Sequence, residues 1–462
     1  MFPADTYIER RKQLKKQIGS GVILFMGNQE SPMNYPDNPF MFRQDSSFLY
    51  YFGLNFPSIA AVIDVDEDKE NIFGDEPSMN DIIFLGPQKP LSESAGQVGV
   101  KQAGSLDEMI TLLAKATGSN RKVHFLPQYR ADNVIKLEKL LSIPHAEIAS
   151  NVSVELIKAV AAQRSIKSAE EIAEIEVAMN IGYEMHVAAM KAARPGMYEY
   201  EVSGLIEGTA LSMGGRMSFP VIFSIHGETL HNHYHGNVMK AGDIAINDSG
   251  AETAMNYCSD ITRTIPIGGK FTSRQKDIYN IVLDAEEKCM QAVKPGVEFR
   301  DIHLLGGELL SAGLKELGLM KGDPAEAARA GAHTLFFQCG LGHMMGLDVH
   351  DMEGLGEDYV GYTDTIKRNP QFGFCSLRMG KALEVGHVMT VEPGVYFIPE
   401  LINRWKAENK LEQFINYDKV EEYRDFGGVR LEDDVLVTED GWRLLGKPIP
   451  KSIEEVETLA SL

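Results

Sequence analysis

Four apolar, strand-like segments in the C-terminal half each carry a carboxylate where a core residue belongs, and this constrains the fold more than any other feature. They are Ala245-Ile246-Asn247-Asp248-Ser249-Gly250, Ser259-Asp260-Ile261-Thr262-Arg263-Thr264, Thr390-Val391-Glu392-Pro393-Gly394 and Val429-Arg430-Leu431-Glu432-Asp433-Asp434. A carboxylate in an apolar strand is costly to bury unless it is paired or bound to a cation. A single acid of this kind usually caps a turn or forms an ion pair. Four of them, with His343 and His350 in the Gly-rich segment GLGHMMGLDVHD, predict one shared site. Oxygen-rich donors with one imidazole suit manganese, cobalt, iron or zinc, in contrast to a thiolate-held structural zinc. The glycines lack phosphate-loop spacing, and no strand-to-helix lysine follows them, which argues against nucleotide binding.

The rest of the chain is consistent with a large globular protein. Its 462 residues suggest two to four domains, and 44% hydrophobic with 24% charged residues is ordinary globular composition. The four cysteines, Cys258, Cys289, Cys339 and Cys375, form neither a disulfide framework nor a zinc-knuckle spacing. A net charge of −21 argues against nucleic acid or an anionic membrane surface as partner. No apolar run is long enough to span a membrane, and the amino terminus has no signal-type stretch, so a cytoplasmic location is expected.

The pattern reads as α+β. In the first third, a charged amphipathic helix over 5–17 precedes strand candidates at 22–26, 60–65, 81–85 and 123–126, with helices near 106–116 and 131–141. Ser168-Ala169-Glu170-Glu171 has the form of a capping box opening a long helix that Pro195-Gly196 stops. This places a boundary that divides the chain into domains 1–165 and 166–462. In the second domain, strands at 244–247 and 260–267 flank a hairpin around 250–256. Helices at 274–293 and 299–318 then precede strands at 387–391 and 429–437. Helices followed by paired strands occur twice, a hint of internal duplication.

The four acid segments together with GLGHMMGLDVHD resemble the signature of the pita-bread metallopeptidases. FRQDSSFLYYFGL, over 42–54, resembles the amino-terminal domain of aminopeptidase P and prolidase, and the tail IPKSIEEVE is similar to the family's ending. The resemblance spans essentially the whole chain. It implies an N-terminal α/β domain of creatinase/aminopeptidase P type followed by a catalytic pita-bread domain.

It also implies two divalent ions, manganese first, held by Asp248, Asp260, His343, Glu392 and Glu432. Asp260 and Glu432 would bridge the ions, Asp248 would bind one alone, and His343 with Glu392 would complete the other. Water activated between them would attack the peptide carbonyl. Glu392 would shuttle a proton, His350 would support the carbonyl oxygen, and Arg430 would pair with a ligand carboxylate. His231, 17 residues before Asp248, would form the site wall. His233 and His235 read as solvent-facing loop residues.

The implied reaction is hydrolysis of the bond between an N-terminal residue and a following proline, read here as Xaa-Pro aminopeptidase activity on peptides. The alternative is Xaa-Pro dipeptidase (prolidase) activity. Arg378, 14 residues before Glu392, resembles a prolidase arginine that meets the dipeptide carboxylate, and the insertion over 399–427 is also prolidase-like. The family further implies a homodimer or homotetramer.

Two departures stand out. Cys339 occupies the place of a family histidine four residues before His343, which raises the alternative of a metal-binding homologue with reduced activity. The interval from Asp248 to Asp260 is 12 residues, one longer than the family's. An odd shift would flip a strand's face, so the extra residue is expected in the hairpin turn or a bulge.

Overall fold

A computed structural model describes residues 1–462. The chain divides into one unit of Met1–Arg164 with Met352–Val360 and another of Ser165–Asp351 with Gly361–Leu462. In the first, the apolar run Val22–Met26 is fully buried as β1. It joins β2 (Ala60–Asp64), β3 (Lys69–Phe73), β4 (Gln102–Gly104) and β5 (Val123–Phe125) in a mixed sheet of order β4-β3-β2-β1-β5. Leu24, Val62 and Phe125 pack with Leu113 and Leu137, from the helices Leu106–Gly118 and Ala131–Leu141. The strand expected at 81–85 is instead part of the helix Met79–Leu85. Its sequence Ile-Ile-Phe favours a strand, but Ser78 and Asp81 form a capping box. Asp81 N–H donates to Ser78 Oγ at 3.1 Å and Ser78 N–H to Asp81 Oδ2 at 2.8 Å.

The second unit repeats one plan. The helices Ala169–Ala192 and Ser273–Ala292 each begin at a capping box, Ser168 with Glu171 and Thr272 with Gln275. Each is followed by a Pro-Gly turn in which the glycine takes positive φ, 91° at Gly196 and 83° at Gly296. A second helix follows in each case, Glu199–Ser212 and Phe299–Glu316. The first half then supplies β6 (Arg216–Met217), β7 (Ile222–Ser224), β8 (Ile244–Asp248), β9 (Ala251–Glu252) and β10 (Thr262–Pro266). The second supplies β11 (Val388–Val391), β12 (Gly394–Tyr396), β13 (Gly428–Arg430), β14 (Asp433–Thr438) and β15 (Gly441–Leu444). Each half builds one three-stranded sheet, β10-β8-β7 or β11-β14-β15, and one short pair, β6-β9 or β12-β13.

Two details of register place the acids. β8 and β10 pair with Asp248 opposite Thr262. The same register continues through Ser249 N–H to Ile261 O (3.1 Å), Ser259 N–H to Ala251 O (2.8 Å) and Thr253 N–H to Tyr257 O (2.9 Å). The ladder has no bulge. The long interval is therefore taken up at the tip, where Asn256 adopts φ +66°. Alternate residues share a face, so Asp260, two before Thr262, lies on the face of Asp248.

The strand expected over 429–437 is broken at Leu431-Glu432, with β13 pairing to β12 and β14 to β11. Pro393, which has no N–H to donate, faces this break and accepts from Leu431 N–H at 3.4 Å. Carried through the break, the registers Val391↔Asp433 and Gly394↔Arg430 set Glu392 opposite Glu432. No helix is long and apolar enough to cross a membrane.

Candidate metal centre

Like charges directly opposite one another destabilise a strand pair, and this cluster goes further. Asp260, His343 and Glu432, all buried, offer donor atoms within 4.8 Å of one another. His343 Nε2 lies 3.4 Å from Asp260 Oδ2 and 3.5 Å from Glu392 Oε1. Asp248 borders the same cavity of about 200 Å³, as do His231, His350, Cys339 and Arg430. All the expected site residues except Arg378 line this cavity. His233, read as a solvent-facing loop residue, borders it too while remaining exposed, as His231 does.

The Gly-rich segment brings His343 in by close backbone approach. A Cβ on Gly342 would lie 2.0 Å from Thr390 O, so only glycine fits beside β11. Thr390 N–H donates to His343 O at 3.0 Å, and His343 N–H donates to Thr390 Oγ1 at 3.1 Å. His343 Nδ1 donates to Met344 O at 3.1 Å, which fixes the tautomer and turns the Nε2 lone pair toward the acids.

The acids themselves have few protein partners. Arg430 pairs with Asp248 and donates to Thr262 Oγ1 and Tyr396 Oη, each at 3.0 Å. The Thr262 hydroxyl donates to Glu432 Oε2 at 2.6 Å. Asp260 N–H donates to Asp434 Oδ2 at 3.2 Å. Asp248 Oδ1, Asp260 Oδ1 and Glu432 Oε1 are buried with no hydrogen-bond partner. Thr262, Tyr396 and Asp434 were absent from the sequence-derived site. Residue type alone does not single them out, since hydroxyls and acids occur throughout these segments and their neighbours.

These surroundings set the protonation states. Burial, reinforced by Asp248, raises the Asp260 carboxyl well above its usual range, and burial with Asp260 does the same for Glu432. Burial pushes Glu392 up to about 7. His343 is lowered, chiefly by burial, and stays neutral. Its Nε2 lone pair therefore faces the oxygens of Asp260 and Glu392, a donor set that a shared proton or a cation can join. Four carboxyls share one guanidinium, so their full ionisation would bury an excess of negative charge that bound cations would offset. The orphaned oxygens, the aimed imidazole and this excess all fit divalent cations with oxygen and nitrogen donors.

His350 stands against His343 with ring centroids 4.3 Å apart, and burial, with lesser contributions from the neighbouring His343 and Arg378, lowers it to about 2. It is a neutral hydrogen-bonding group at any working pH. Cys339 is also neutral, its thiol pushed up to about 12 by burial, so it is a poor nucleophile and a poor ligand. Cys339→Ser is expected to leave metal stoichiometry unchanged and to alter the rate by less than about tenfold. Loss of a bound ion in that variant would instead give the thiol a ligand role.

Residues 173–439 match metallopeptidase family M24, and residues 7–124 match the aminopeptidase P N-terminal domain. The chain is 32% identical to the Xaa-Pro dipeptidase of Homo sapiens, over 97% of this chain and 90% of that protein. It is 31% identical to a probable Xaa-Pro aminopeptidase of Aspergillus clavatus, over 100% and 98%. Among solved structures, an Escherichia coli aminopeptidase P variant in complex with substrate matches with a TM-score of 0.81 at 28% identity, covering 99% of this chain and 98% of that one. Pseudomonas aeruginosa aminopeptidase PepP matches with a TM-score of 0.81 at 26% identity, covering 100% and 98%. A family match over more than half of the chain, on a fold shared end to end, shows that this protein is a metallo-exopeptidase of family M24, in the aminopeptidase P and prolidase group.

Proposed function

We propose that the chain hydrolyses the peptide bond before proline, using two divalent ions held by Asp248, Asp260, His343, Glu392 and Glu432. The observation that carries this reading is the buried cluster of carboxylates with orphaned oxygens around the lone pair of His343. Manganese is our first choice of ion, with cobalt, iron or zinc also suited to the donors, and family resemblance supports a homodimer or homotetramer. When bound, such ions supply Lewis acidity and lower the pKa of water.

The chain's own residues do the rest. Arg430 and Thr262 orient Asp248 and Glu432 through the contacts described above, so the donors are fixed before substrate enters. Glu392, which lines the cavity, takes a proton at its carboxyl oxygen and passes one to the departing proline nitrogen. His350 donates a hydrogen bond to the carbonyl oxygen as negative charge develops there. His231, at the cavity mouth, flanks the incoming peptide.

One observation favours the dipeptidase form over the aminopeptidase form that the general layout suggested. The positive charge of Arg378 adds to burial in lowering His231, His343 and His350. Arg378 does not itself line the cavity, but a guanidinium near these three imidazoles suits the free carboxylate of a dipeptide's proline. The test compares an Xaa-Pro dipeptide with the same sequence extended by several residues, in manganese, for wild type and Arg378→Ala. The Arg378 reading predicts preference for the dipeptide and an increase in its KM of about tenfold or more in the variant. Efficient cleavage of the extended peptide, with no effect of the variant on the dipeptide, would return the choice to Xaa-Pro aminopeptidase.

A further inference from the structure

Behind the carboxylate cluster lies a second charged assembly that the reaction does not use. Arg263 is fully buried, and all of its donor groups are engaged. Nη1 donates to the backbone carbonyls of Thr262 (2.9 Å) and Glu432 (2.7 Å). Nε donates to Pro450 O at 3.1 Å, and Nη2 to Ile449 O at 3.1 Å and Asp433 Oδ1 at 2.6 Å. One guanidinium thus ties the segments that carry Asp260 and Glu432 to each other and to residues 449–450. The other oxygen of Asp433 accepts from Lys451 Nζ at 2.8 Å, and the same ammonium donates to both oxygens of Glu286 at 2.9 and 2.8 Å.

Two cations and two anions are therefore held together, with the side chains of Arg263, Glu286 and Asp433 at 0, 0 and 4% exposure and Lys451 at 21%. Buried ion networks are weak contributors to stability, since well-packed apolar residues often serve as well. What this network does is geometric. Asp433 follows Glu432 directly, and the Thr262 carbonyl held by Arg263 belongs to the residue whose hydroxyl donates to Glu432 Oε2.

We infer that Lys451 is a positioning residue for the carboxylate cluster, acting through Asp433 and Arg263 on the backbone of Thr262 and Glu432. Without its ammonium, Arg263 alone would oppose the repulsion between Glu286 and Asp433, and Asp433 would shift from its place beside Glu432. Residues 449–451 are then part of the metal centre although none of them lines its cavity. The inference rests on Glu432 being a ligand, as proposed above.

The test uses the full chain, stripped of metal, as wild type, Lys451→Met, Lys451→Arg and Lys451→Gln. Manganese affinity is measured by calorimetry, the visible spectrum is taken with cobalt, and KM and kcat are measured with an Xaa-Pro dipeptide. In Lys451→Met at least one ion is expected to bind about 10–100-fold more weakly, with an altered cobalt spectrum and a lower kcat at a KM within twofold of wild type. Lys451→Arg is expected to restore most of the affinity. Should Lys451→Met not fold, Lys451→Gln, which keeps a polar chain but loses the positive charge, is expected to shift affinity and spectrum in the same direction. Wild-type affinity and spectrum in folded Lys451→Met, or in Lys451→Gln in its place, would overturn the inference alone. A lower melting temperature with an unchanged cobalt spectrum would do the same, by reducing the network to a structural role. A wild type that binds no divalent ion would overturn the metal reading itself, and this inference with it.

Discussion

Replacing Asp260 with asparagine should abolish peptide hydrolysis, by roughly a thousandfold or more, and should at the same time stabilise the metal-free protein. The two effects share one cause. Asp260 is buried, its Oδ1 has no partner, and burial with Asp248 raises its carboxyl well above the usual range. At neutral pH the unfolded chain carries this residue ionised, the form that burial beside Asp248 disfavours, so the residue costs the metal-free fold stability. Asparagine is neutral in both states and removes that cost. It also removes an anionic donor from the site, so divalent affinity and activity fall together. Thermal melting in chelator, beside a kinetic assay in excess metal, reads both. A metal-free Asp260→Asn that melts well below wild type would show that the carboxylate serves the fold and not a cation.

The second large effect is a reversal of pH dependence on loading. Glu392 has an ordinary value of 4.5 and is pushed up to about 7 in the metal-free fold, with Asp260 and Glu432 shifted in the same direction. A raised folded-state value means that the protonated group favours the fold. That contribution is complete below about pH 4.5 and is lost as pH rises through about 7. For Glu392 alone it is on the order of 3 kcal/mol. The metal-free protein should therefore lose stability from pH 5 to pH 8. Cations bind the deprotonated cluster, so their affinity should rise over the same range, by up to about tenfold per pH unit for each proton displaced. Melting curves at pH 5 and pH 8, with chelator and with saturating manganese, should cross. Parallel curves would mean that the acids are not titrating where the cation binds.

How much of this was legible beforehand depended on whether a residue broke a local pattern. Asp248, Asp260, Glu392 and Glu432 were conspicuous because each interrupts an apolar strand, and His343 because glycines flank it. The structure brings these five around one cavity. Thr262, Tyr396 and Asp434 were not legible. A hydroxyl or an acid next to a strand's apolar positions looks the same whether it faces solvent or holds a buried partner, and only the register decides. The break at Leu431-Glu432 was hidden because its cause lies on the opposite strand, in Pro393. The helix Met79–Leu85 was misread because two capping hydrogen bonds outweighed the strand preference of its apolar residues. The grouping of Met352–Val360 with the amino-terminal unit depends on contacts far apart in sequence and left no local trace.

The central claim is that the carboxylate cluster exists to hold two divalent ions that cut before proline. Titrating the metal-stripped chain with manganese while following hydrolysis of an Xaa-Pro dipeptide tests it most directly. The account predicts that two ions bind per chain, that hydrolysis appears as they bind, and that cleavage is confined to the bond before proline. No binding, or full occupancy without cleavage of any Xaa-Pro peptide, would contradict it.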